Sequence, residues 1–171
     1  MSTSPKQLFV LRHGKSSWDD PGLDDHERPL APRGRRAAKL LSGYLRERKI
    51  QPSLVLCSSA RRTRETLVSV APGGEVVIEP DLYAASVATV LERLRRVPPD
   101  RASVMVVGHN PASQMLVERL AGDDGNDPAL AAVKRKFPTG AFATLSIACE
   151  WSELRPGCAR LTAFVRPKDL R

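Results

Sequence analysis

At 171 residues the chain is long enough to bury about two-thirds of the surface its unfolded form would expose, so one domain over residues 1–171 is expected, with no disulfide or structural metal needed to hold it. Lys and Arg number 27 against 19 Asp and Glu, a net charge of +8 that is spread along the chain and favours an anionic partner without naming it. The three cysteines, Cys57, Cys149 and Cys158, lack CxxC spacing, and no apolar run approaches the roughly 18 residues of a membrane span, which argues against a zinc site, a disulfide framework and a membrane protein, and fits the reducing cytoplasm.

Gln7-Leu8-Phe9-Val10-Leu11 is an apolar run of strand formers broken by Gly14, so Arg12 and His13 fall at the carboxyl end of a first strand. In parallel sheets that end is where ligands bind. A cation beside an imidazole suits an oxyanion, and a neutral imidazole there can attack phosphorus. Residues 19–32 are acidic and interrupted by Pro21, Gly22, Pro29 and Pro32, which predicts a long loop beside that edge; His26 within it reads as a solvated loop histidine. Ala37, Ala38, Leu40, Leu41, Tyr44 and Leu45 then follow helical spacing over residues 33–48.

Pro52-Ser53-Leu54-Val55-Leu56-Cys57 is a second strand, and Ser59 as N-cap of the next helix puts Arg62 in its first turn, where side chain and free amides together suit an anion. Val76-Val77-Ile78 predicts a third strand, followed by a helix from about Ser86 to Arg96. Ser103-Val104-Met105-Val106-Val107 is a buried strand ending in Gly108-His109-Asn110-Pro111, with Asn110 placed to cap the following helix and Pro111 at its first position. That helix runs to about Ala121, residues 122–128 form an acidic loop, and residues 141–147 and 160–165 complete the sheet, the second at an edge. The alternation predicts an α/β fold, a three-layer sandwich with a mostly parallel sheet flanked by helices.

His13, Arg62 and His109 thus follow three different strands at one sheet edge, and their convergence says more than any one of them. Through Leu11-Arg12-His13-Gly14, Ser58-Ser59-Ala60-Arg61-Arg62-Thr63-Arg64-Glu65-Thr66 and Val107-Gly108-His109-Asn110-Pro111 the chain resembles the phosphoglycerate mutase-like histidine phosphatase superfamily, and Arg28-Pro29-Leu30 with Gly34 is most similar to its SixA-type phosphohistidine phosphatase branch. The resemblance implies that His13 is the nucleophile, that Arg12 and Arg62 bind phosphate, and that His109 is the second catalytic histidine. Two departures separate the chain from the mutases of that superfamily: Asp19 stands where they carry Asn after the Trp, and Leu82-Tyr83-Ala84 offers no general-acid Glu after the third strand. An alkoxide leaving group wants that acid, whereas a protonated phosphoramidate nitrogen leaves without it; Asp19, Asp20, Asp24 and Asp25 remain as possible proton sources in the loop.

The expected function is therefore hydrolysis of phosphohistidine on a protein through a covalent phosphoenzyme, without metal or other cofactor, since two arginines between two histidines oppose a second cation. Two alternatives stand beside it. One is the same chemistry on a small phosphorylated metabolite; the other is a non-catalytic basic module for nucleic acid or acidic protein. With 5% aromatic residues and no aromatic-interleaved basic stripe, the composition argues against nucleic acid.

Overall fold

The computed structural model describes residues 4–123 and 125–170. A six-stranded sheet takes the order β3-β2-β4-β1-β5-β6, with β1 (Lys6–Arg12), β2 (Leu54–Ser58), β3 (Glu75–Glu79), β4 (Ser103–Gly108), β5 (Phe142–Ile147) and β6 (Ala159–Val165). Strands β1 to β4 pair in parallel, β5 and β6 run antiparallel to their neighbours, and β6 forms the edge the sequence predicts. Alternate residues of the central strands face opposite ways. Phe9, Leu11, Val55, Cys57, Met105 and Val107 pack against α1 (Pro32–Glu47) and α2 (Arg61–Val70), while Leu8, Val10, Leu54, Leu56, Val104 and Val106 pack against α3 (Val87–Arg95), α4 (Ala112–Ala121) and α5 (Pro128–Arg135). Helices therefore cover both faces of a three-layer sandwich, and no described helix is long and apolar enough to cross a membrane.

Register sets up the site. Arg12 pairs with Gly108 and Cys57 with Val107, so β1, β4 and β2, adjacent in the sheet, end level with one another. One residue further on, each chain leaves the sheet on the same edge.

Several local expectations need correction. Ala60, not Ser59, is the N-cap of α2 and makes no side-chain cap bond; Arg62 still falls in the first turn because the helix begins at Arg61. Pro111 is the N-cap of α4 rather than its first residue, and its bond to Asn110 is cis, while Asn110 Oδ1 accepts from the amide of Gln114 (3.2 Å) as a cap would. Leu40 lies on the solvent side of α1, where Ala38, Leu41 and Leu45 are buried. Helix α5 is additional to the predicted elements: Asp127 caps it by accepting from Ala129 N (2.9 Å), and Pro128 takes its first position.

Candidate active site

His13 sits one residue past β1, where its amide donates to Gly108 O (3.1 Å) and its carbonyl accepts from Gly140 N (2.8 Å), so the loop is bonded to two neighbouring segments. Gly14 N donates to Thr66 Oγ1 (3.0 Å), and Thr66 in turn donates to Arg62 O (2.7 Å), tying this loop to α2. Gly34 lets α1 approach: a Cβ there would stand 2.3 Å from Lys15 O, so only glycine fits.

The imidazole of His13 is buried, and Nδ1 lies 2.7 Å from the carbonyl of Gly14. A carbonyl only accepts, so Nδ1 carries the proton and the lone pair is on Nε2. Burial first, and then the charges of Arg62, Arg12 and Arg28 against the raising effect of the Gly14 bond, depress this pKa to about 4. The ring is therefore neutral at pH 7, with Nε2 free to act as a nucleophile.

His109 follows β4, its ring centroid 5.2 Å from that of His13 at 56° between planes. Its Nε2 shares a 2.8 Å hydrogen bond with Ser58 Oγ, which also accepts from Ala60 N (3.3 Å). Burial, followed by the proximity of His13 and Arg62, lowers its pKa to about 3, so it too is neutral.

Two arginines supply the charge. Arg12 donates through one terminal nitrogen to Phe137 O (3.0 Å), and burial with the nearby Arg62 cation lowers its pKa. Arg62, itself buried, donates to Asp25 O (2.8 Å) and Asp25 Oδ2 (3.1 Å). Among the described residues, the Nε–H groups of both arginines are buried without a protein acceptor. An unpaired buried donor costs about 1–3 kcal/mol, and both guanidiniums bring positive charge to the paired imidazoles, which suits an oxyanion. All four predicted residues, Arg12, His13, Arg62 and His109, are thus at the same sheet edge; the imidazoles are in direct contact, and both arginines act electrostatically on both of them.

Asp25 joins this group as a carboxylate. Its carboxyl accepts from the Tyr83 hydroxyl (2.7 Å), and that bond first, then Arg62 and Arg28, holds its pKa down to about 2. Arg28 is buried, donates to Asp25 and Ser16, and stacks its guanidinium 3.4 Å over the exposed ring of Trp18. Tyr83 packs edge-on against both His109 (5.7 Å) and His26 (4.8 Å). His26 is half-buried and shares a 2.9 Å bond with Ser59 Oγ rather than standing in solvent. Sequence reasoning gave Tyr83 no role, and it quoted Ser58 and Thr66 in a motif without foreseeing that Ser58 would bond His109 or that Thr66 would bond Gly14. Those contacts depend on packing between segments far apart in sequence, which no local pattern specifies.

A sequence model of the histidine phosphatase superfamily (branch 1) matches residues 8–86. The uncharacterized protein Rv1276c of Mycobacterium tuberculosis is 41% identical over 159 residues, which cover 92% of this chain and all of that one. A solved structure assigned as phosphohistidine phosphatase SixA from Nakamurella multipartitia superposes with a TM-score of 0.88 at 30% identity, over 98% of this chain and 99% of its own. The chain belongs to the histidine phosphatase superfamily. Within that superfamily it is most like the SixA branch: Escherichia coli phosphohistidine phosphatase SixA is 28% identical over 147 residues, covering 82% of this chain and 85% of the relative, and the protein histidine phosphatase SixA complexed with tungstate superposes at a TM-score of 0.77 with 26% identity over 96% and 99% of the two chains. Family and fold make this protein a phosphatase, and the matched segment contains Arg12, His13 and Arg62.

Proposed function

We propose that this phosphatase removes the phosphoryl group from phosphohistidine carried on a protein, through a covalent intermediate on His13. The observation that carries the choice of substrate is the state of Asp25. This carboxylate touches the site, yet Tyr83, Arg62 and Arg28 hold it ionised, so it has no proton to give an alkoxide. Ala84 follows with a φ of 55° and no acid of its own. A phosphohistidine ring protonated at its second nitrogen needs no such donor.

Nε2 of His13 attacks phosphorus in line, forming one N–P bond as the substrate's N–P bond breaks and its imidazole leaves neutral. Water then attacks phosphorus, the bonding pair returns to Nε2, and dihydrogen phosphate departs. The guanidiniums of Arg12 and Arg62 stabilise the charge on the equatorial oxygens, and His109, oriented by Ser58, offers a ring N–H when the serine donates to Nε2. No step calls for a metal. The tungstate complex of a SixA relative supports the reading, tungstate being a tetrahedral oxyanion like phosphate.

Trapping the intermediate tests this. Labelled substrate should leave an acid-labile, base-stable phosphoryl group on the wild-type protein and none on His13→Ala. Equal labelling of that variant would move the nucleophile elsewhere.

A further inference from the structure

We infer that a cationic cleft adjoining the catalytic pocket docks the acidic surface of the phosphohistidine-bearing protein; the inference rests on the function proposed above. The cleft has a volume of about 690 Å³ and lies between the start of α1, the residues ending α5 and the segment after β6. Arg12, Lys15, Arg33, Arg135, Lys136 and Lys168 line it. Arg166 also borders it but is paired with Asp169 at 3.0 Å. None of the other six forms an ion pair among the described residues; unpaired cations such as Lys39, Arg46 and Arg96 also stand outside the cleft, but they do not line it. Six cations without an ion-pair partner among the described residues thus border a single cleft, where their mutual repulsion is relieved by an anion.

Arg12 belongs to both places. Its guanidinium donates to Phe137 O (3.0 Å) and its carbonyl accepts from Gly140 N (3.1 Å), so the wall carrying Arg135 and Lys136 is fixed to an arginine of the catalytic pocket. A phosphoryl group between the two imidazoles therefore presents the flanks of its carrier to the cleft.

The lining selects among polyanions. It contains no aromatic ring, so there is no stacking surface for a base, and its apolar residues are small, Ala37, Ala132, Pro138 and Pro167, with none long enough to anchor in a bilayer. Lys15, Arg33, Arg135, Lys136 and Lys168 are exposed, so they keep most of their hydration and reach across a broad front. That arrangement suits several dispersed carboxylates on a protein face, where complementarity raises encounter rate and fixes orientation.

The test compares two short phosphohistidine peptides, one flanked by Asp and Glu and one by Ser and Gln. Wild-type protein should turn over the acidic peptide with about tenfold higher kcat/KM, expressed in KM, because several exposed ion pairs of modest individual strength add up. The triple variant Arg33→Glu, Lys136→Glu, Lys168→Glu should lose that preference while turning over the neutral peptide normally. A variant with the same charge change outside the cleft, Lys39→Glu, Arg46→Glu, Arg96→Glu, should keep it, and raising NaCl to about 0.5 M should erase it in the wild type. Equal efficiency on both peptides, or a preference that survives the cleft variant, overturns the inference and leaves the phosphohistidine assignment standing. Failure of the wild type on both peptides overturns that assignment and the inference with it. Competition by duplex DNA at lower concentration than by the unphosphorylated acidic peptide would replace the acidic protein with nucleic acid.

Discussion

At the residue scale, the proposed chemistry turns on a neutral histidine surrounded by cations. His13 is depressed to about 4 and His109 to about 3, chiefly because burial penalises the charged ring. In an NMR titration neither ring should titrate between about pH 5 and 8; a midpoint near 6.5 for either would mean that its ring is solvated. Substitution follows the same logic. Arg62→Ala removes a guanidinium beside both histidines and releases Asp25, and kcat should fall by about 10²–10³, as for loss of an oxyanion donor, while His13→Ala should lose all turnover. Motif position was enough to place Arg12, His13, Arg62 and His109 at one sheet edge, because each stands at a strand end or first helical turn that local pattern defines. Tyr83 was not legible, since its part in the site depends on meeting Asp25 and His109 across 58 and 26 positions of sequence.

At the scale of elements, the site depends on how closely α1 packs against the loop after β1. The added methyl of Gly34→Ala would fall 2.3 Å from Lys15 O and 2.9 Å from Lys15 N, both backbone atoms that cannot rotate away. The variant should lose about 1–3 kcal/mol of stability by urea denaturation and should also lower kcat, because the shift passes through Gly14 to His13. Unchanged stability would show that the two backbones are free to part. Element existence was legible throughout the parallel portion, where apolar runs alternate with helical spacing. Helix α5 was missed despite Asp127-Pro128 at its start, since eight residues give too few turns for the period to show. Ser59 failed as a cap because the chain turns one residue later, at Ala60, while the neighbouring Ser58 hydroxyl binds His109.

Across the whole molecule, these groups link stability to pH. His13, His109 and Asp25 all have folded pKa values below their unfolded ones, so the unfolded chain binds more protons in acid. Stability should begin to fall as pH drops through about 6.5, where the unfolded histidines protonate, continue down to about pH 4 for His13 and about 3 for His109, and fall further as Asp25 is titrated toward about pH 2. The urea midpoint of the wild type should therefore fall relative to that of His13→Gln on acidification, and parallel curves would remove His13 from the linkage. Activity should persist in excess chelator, since the site concentrates cationic side chains where a metal would have to bind; complete loss restored by a divalent ion would contradict this. The most direct measurement is catalytic efficiency on three substrates in parallel, a phosphohistidine protein, a phosphoserine peptide and small phosphate esters. A pocket whose nearby carboxylate is held ionised should favour phosphohistidine by orders of magnitude in kcat/KM, and a clear preference for either class of ester would contradict the assignment.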